Sequence, residues 1–194
     1  MKSIYSNLKI ALVGMLVFTN AFSQSVSDLP GQMIPAEYEF KAKIGDILPD
    51  FTMTLTNGKK VSSKDWKGKV VMLQFTASWC GVCRKEIPYI EEDIWKKYKR
   101  NPNFLLYGVD RDEPLEKVKR YQKEIGISYP LAIDPNADIF GLFADKKAGV
   151  TRNIVINNEG KIVYMTRLFK EKEFREMVQV IGTLLKLNET SHER

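Results

Sequence analysis

The sequence predicts an α/β fold: a central mixed β-sheet flanked by helices, with an N-terminal β-hairpin and a central insertion. Three observations point to it. The runs Lys69–Phe75 (KVVMLQF) and Phe104–Val109 (FLLYGV) are almost continuously apolar, as strands buried on both faces must be. Apolar residues at helical spacing lie between them, so strand, helix and strand form a βαβ unit with a parallel pair. Further on, NIVIN and KIVYMT flank Asn158-Glu159-Gly160 and lead into another helical pattern, which reads as an antiparallel hairpin followed by a helix.

The elements follow in chain order. Lys2 and Lys9 flank a polar start, Ile10–Phe18 is apolar, and small residues follow at Ala21 and Ser23. This is the pattern of a secretory signal peptide over residues 1–23, cleaved after Ser23. The apolar run is short for a membrane-spanning helix; an uncleaved N-terminal membrane anchor is the alternative. No cysteine lies near the cleavage point to accept a lipid. Residues 24–43 lack periodicity and read as an N-terminal extension, leaving 44–194 as the folded domain. FTMTLTNGKKVSS places Asn57-Gly58, a strong turn signal, between two β-prone runs. After Cys83, the residues Ile87, Ile90, Ile94, Trp95 and Tyr98 fall on one helical face. Leu115, Val118, Tyr121, Gln122 and Ile125 mark a second helix, with Pro114 suited to its first turn. Residues 126–149 form the central insertion, holding YPLAI and a helix-like ADIFGLF. Phe174, Met177, Val178, Ile181, Leu184 and Leu185 trace the final helix.

With 194 residues and 44% hydrophobic content the chain is long enough for one well-packed domain. Its formal charge is +6, and removal of residues 1–23 takes away two lysines and no acid, leaving +4. The most basic run, Trp95–Arg100, ends a helical pattern and reads as a solvated face with cations near the helix C-terminus. No nucleic-acid motif accompanies it. No glycine-rich dinucleotide fingerprint is present, so neither NAD(P)H nor flavin is expected as a cofactor.

The chemistry concentrates in ASWCGVCRKEIPYI, Ala77–Ile90, which holds both cysteines of the chain. Cys80 falls at the start of a helix, where unpaired N–H groups and the helix dipole favour a thiolate. Cys83 follows three residues on, close enough to close a small disulfide ring. A Cys80 thiolate would attack a substrate disulfide and Cys83 would resolve the mixed disulfide. The competing readings are a structural staple and half of a metal site. A structural zinc site needs about four nitrogen or sulfur ligands, and the chain offers two cysteines and His192 alone; no metal is expected. A staple closing so small a loop restrains the unfolded chain little.

FTASWCGVCRKEIP resembles the active site of the thioredoxin superfamily. With the export signal, the hairpin and the insertion, the chain is similar to the TlpA/ResA-like extracytoplasmic thiol–disulfide oxidoreductases over Gly45–Leu187. The resemblance implies a thioredoxin-like fold with Cys80 as nucleophile, Cys83 as resolving thiol and a redox-active Cys80–Cys83 disulfide. It makes Trp79 a shield and substrate-facing surface, with plain packing as the alternative. Pro88 matches the proline that bends the family's first helix. Glu86 matches a glutamate common after the second cysteine, and either handles protons or faces solvent.

Three departures stand out. Gln74 occupies the place of a buried aspartate that helps deprotonate the second cysteine, and it cannot titrate. Gly81-Val82 replaces Gly-Pro between the cysteines. The family's cis-proline position falls on Thr151, where a cis bond would cost about 2.5–4 kcal/mol. Arg152 beside it either approaches Cys80 and lowers its pKa, or points to solvent. The Thr-Arg pair is also faintly peroxiredoxin-like. The reading that results is an exported enzyme reducing periplasmic protein disulfides. It acts as a monomer and draws electrons from a membrane thiol donor. A thiol peroxidase and a non-catalytic binding module are the alternatives.

Overall fold

The structure is a computed structural model describing residues 32–192. The expected signal peptide and the first part of the N-terminal extension lie outside these residues.

Among the described residues one seven-stranded sheet runs in the order β2-β1-β5-β4-β3-β6-β7. The strands are β1 (Thr52–Leu55), β2 (Lys60–Ser62), β3 (Val70–Thr76), β4 (Phe104–Arg111), β5 (Leu131–Asp134), β6 (Arg152–Ile156) and β7 (Ile162–Arg167). All of β3 is buried, in keeping with its unbroken apolar run. β3 pairs in parallel with β4 and β4 in parallel with β5, while β6 pairs antiparallel to β3 and β7 to β6. Asn57-Gly58 turns the β1–β2 hairpin, with Gly58 at φ +85°. Its left-handed conformation is one that a side chain would resist. The central insertion is built into the sheet. Its strand β5 sits between β4 and β1 and joins the N-terminal hairpin to the parallel core.

The helices are α1 (Gly81–Ile90), α2 (Lys96–Tyr98), α3 (Leu115–Ile125), α4 (Phe140–Phe143) and α5 (Glu171–His192). Pro88 lies inside α1, and a π-helical stretch, Glu91–Trp95, joins α1 to α2. Proline has no N–H to donate, so the Arg84 carbonyl loses its helical partner, and further on the Glu91 N–H is shared between the Ile87 and Pro88 carbonyls. One face of the sheet carries α1 with α3 and α5 beside it; Arg84–Glu124 at 2.7 Å links α1 to α3, and Arg175–Asp93 at 2.7 Å links α5 to the π-helical stretch. The other face is aromatic. Phe75 meets Phe140 and Phe143, Trp66 stacks on Tyr107, and Phe51 packs on Trp66 and Phe143.

Part of the N-terminal extension packs on this domain. Tyr38 is buried, and Phe40 bridges to Ala144. The Gln32 side chain exchanges two hydrogen bonds with the Met165 backbone, at 2.6 and 2.8 Å. It thereby occupies the free edge of β7, which would otherwise offer unpaired backbone groups to another chain.

Candidate active site

Cys80 is the N-cap residue of α1, at the C-terminal end of β3. It is bonded to Cys83 in a disulfide whose Cα atoms are 5.3 Å apart. Cys80 is 7% exposed and Cys83 fully buried. This asymmetry suits an attacking sulfur and a protected one. The Cys83 N–H donates to Cys80 Sγ at 3.1 Å, so the helix N-terminus is already directed at the sulfur that would carry negative charge. Trp79 stands beside it, 57% exposed.

The loop entering the helix is clamped. Glu113 accepts from the Ser78 N–H at 2.6 Å and the Ser78 hydroxyl at 2.7 Å. Lys117 pairs with Glu113 at 2.5 Å. Burial pushes the Glu113 carboxyl up, but the hydrogen bonds from Lys117 and Ser78 outweigh it and hold the group below its ordinary value. Arg84 Nε donates to the Ser78 carbonyl at 2.9 Å from the helix side.

Thr151 closes the other side. Its Oγ1 lies 3.2 Å from Cys80 Sγ and 3.4 Å from Cys83 Sγ. No peptide bond among the described residues is cis, so the approach to β6 is trans at the position that aligns with the family's proline. Arg152 takes neither of its two expected positions. Side chains alternate along a strand, so Thr151 and Asn153 face α1 while Arg152 faces the aromatic side. There it is completely buried, stacked against Phe40 and Phe140 and donating to the Gly149 and Tyr38 carbonyls. The arginine of the faintly peroxiredoxin-like Thr151-Arg152 pair is therefore on the opposite face of the sheet from Cys80.

Beneath the disulfide lies a polar group of the core. Gln74 is buried, and its Oε1 accepts from the Tyr129 hydroxyl at 3.1 Å. Gly108 makes room for this pair, since a Cβ there would come within 2.6 Å of Leu131 and 3.1 Å of Tyr129. Glu86 sits one turn along α1 from Cys83 and is 1% exposed rather than facing solvent. Asn153 Nδ2 donates to Glu86 Oε1 at 2.6 Å and to Thr166 Oγ1 at 2.9 Å, while Glu86 Oε2 has no partner among the described residues. Burial pushes the Glu86 carboxyl up to about 8, against the opposing Asn153 hydrogen bond. Gln74 cannot titrate, whereas Glu86, on the helix one turn from Cys83, is a buried titratable carboxyl. A second buried acid, Asp110 on β4, is also raised to about 8, by burial first and by neighbouring Glu113 second.

Nothing in the sequence motif singles out Asn153, Asp110 or Glu113. Asn153 shares a strand face with Thr151, so alternation could have flagged it. Asp110 follows the apolar run Phe104–Val109 near the end of β4, a weak signal of a polar site at that end of the sheet.

The Redoxin family profile matches residues 43–181. The chain belongs to the Redoxin family. Within it, the thiol–disulfide oxidoreductase ResA of Bacillus cereus is 36% identical over 123 residues, 63% of this chain and 69% of that protein. A solved structure of a candidate protein disulfide isomerase from Bacteroides thetaiotaomicron is 56% identical, with a TM-score of 0.75 over 80% of this chain and 98% of that one. A candidate thiol:disulfide interchange protein DsbE from Chlorobium tepidum is 26% identical, with a TM-score of 0.64 over 75% and 99%. This Redoxin chain is a ResA-like thiol–disulfide oxidoreductase of thioredoxin fold.

Proposed function

We propose that this oxidoreductase is exported through its N-terminal signal peptide and reduces protein disulfides in the periplasm. The observation that carries the reading is the Cys80–Cys83 disulfide at the N-terminus of α1, with the less deeply buried cysteine next to exposed Trp79 and the fully buried one behind it. In the dithiol form the Cys80 thiolate attacks one sulfur of a substrate disulfide and expels the other as a thiolate. Cys83 loses its proton and attacks Cys80, releasing the second substrate thiol. Two electrons and two protons pass to the substrate, and the resting disulfide returns. Glu86 is the only acid in α1 and lies a turn from Cys83, which suits it to take up the Cys83 proton. A membrane thiol donor then reduces the pair, and the enzyme acts as a monomer. The reductive direction rests on the likeness to ResA-type proteins and on the acid held near neutrality.

The test is trapping. Cys83→Ser expressed in the native envelope should accumulate mixed disulfides through Cys80, and these disappear in Cys80→Ser. The mature N-terminus should begin at Gln24. A pair that glutathione buffers never reduce would overturn the reading, as would reduced protein that leaves insulin disulfides intact.

A further inference from the structure

The two sulfurs rest against Thr151, and Thr151 belongs to the irregular run Lys146–Thr151 that leads into β6. No cis-proline fixes this run. Three arginines from three different strands converge on it instead. Arg111, at the end of β4, donates through Nη2 to the Lys146 carbonyl at 2.5 Å and through Nη1 to the Ala148 carbonyl at 3.1 Å. Arg152 on β6 donates to the Gly149 carbonyl. Arg167 on β7 donates to the Thr151 carbonyl at 3.5 Å. Four carbonyls within six residues are thus held from below by guanidinium groups.

The arrangement is electrostatically unfavourable on its own terms. Arg152 and Arg167 are direct cross-strand partners, an arrangement that repels. Arg111 and Arg152 share the Phe140 ring, 4.2 and 5.3 Å from its centroid. Arg152 is fully buried with an unpartnered Nε, and burial, followed by Arg167 and Arg111, draws its guanidinium down to about 10. Asp112 pairs with Arg111 alone, and Glu39 is the other nearby anion. Apolar side chains would fill this space at lower cost. The forked donors do something apolar groups cannot, which is to fix the positions of specific carbonyls. Gly149 belongs to the same construction, because a Cβ there would strike the Arg167 guanidinium.

We propose that Arg111, Arg152 and Arg167 are positioning residues that fix the Lys146–Thr151 run so that the Thr151 hydroxyl stays against the Cys80 and Cys83 sulfurs. In the reduced protein that hydroxyl donates to the Cys80 thiolate. The inference deepens the proposed function, since it assigns Cys80 as the attacking thiolate, but its test does not depend on turnover.

In a Cys83→Ser background, the rate of iodoacetamide alkylation of Cys80 is followed against pH for the parent, Arg111→Lys, Thr151→Val and the double variant. Near-UV circular dichroism confirms the fold. Arg111→Lys keeps the charge and loses the fork. Both single variants should move the alkylation midpoint upward by about one pH unit, roughly tenfold less thiolate at neutral pH. The double variant should move it no further than Thr151→Val alone, because the arginine acts through the threonine. An Arg111→Lys profile that superimposes on the parent overturns the proposal, and so does a shift that adds to that of Thr151→Val. Should Arg111→Lys not fold, Arg167→Lys, on a half-buried residue, carries the same expectation and the same refutation. Loss of insulin reduction with an intact alkylation cycle would remove the proposed function and leave this inference standing.

Discussion

Glu86 illustrates how burial turns an ordinary carboxyl into one that keeps its proton near neutrality. Its single hydrogen bond from Asn153 is too little to offset desolvation, and the group rises from 4.5 to about 8. The sign for stability follows. A carboxyl that holds its proton more tightly in the folded state contributes fully below its unfolded value. That contribution is lost as pH rises through the folded value. Glu86→Gln should therefore be more stable than the parent at pH 8–9, by about 3 kcal/mol in urea unfolding, and closer to it at pH 4. The same variant should resolve mixed disulfides at least about tenfold more slowly near neutrality, as stopped-flow quenching of Trp79 fluorescence would record. A variant that gains stability while keeping full activity would separate Glu86 from the chemistry.

Among the elements, α1 carries the Cys80–Cys83 pair, and two glutamates use one device to frame it. Glu113 grips the N–H and hydroxyl of Ser78, while Glu91 grips those of Ser128, at 2.5 and 2.8 Å. Removing either clamp leaves a serine amide without its acceptor, so Glu113→Ala and Glu91→Ala should each cost about 1–3 kcal/mol in denaturant unfolding. Their effects on the site should differ. Ser78 is two residues before Cys80, so Glu113→Ala should also change the Cys80–Cys83 equilibrium with glutathione, read by quantitative alkylation. Ser128 borders β5 on the far side of α1, so Glu91→Ala should leave that equilibrium unchanged. A common shift in both variants would show that general loosening, not the Ser78 clamp, sets the potential.

For the molecule as a whole, the aromatic face and the N-terminal extension act as one unit. Tyr38 is buried, its hydroxyl donates to Glu173 at 2.9 Å, and its carbonyl accepts from Arg152. Tyr38→Ala should cost about 3 kcal/mol in chemical unfolding. Because its carbonyl survives the substitution, the Cys80 alkylation profile should stay near the parent. The two raised acids, Glu86 and Asp110, act together on the pH dependence. Both lose their contribution as pH climbs toward about 8, so parent stability should decline across that interval. A flat thermal stability between pH 5 and 8 would contradict the buried placement of both.

Much of this protein is written locally. The strands, the helices, the Asn57-Gly58 turn and the cysteine pair at a strand–helix junction follow from periodicity and turn chemistry, which act over a few residues. The chemistry of Cys80 follows too, because an N-cap position is a local fact. What the sequence leaves open is set by partners distant along the chain. That β5 enters between β4 and β1, that Glu86 is buried against Asn153, itself bonded to Thr166, and that Arg152 lies under Phe40 and Phe140 all depend on which faces meet. Alternation along β6 already separates Thr151 from Arg152, but it cannot say that one face holds the disulfide and the other a buried guanidinium. Burial and strand order are tertiary quantities. They decide where the proton is stored and what holds Thr151 in place, while the local sequence decides that two cysteines stand ready to exchange electrons.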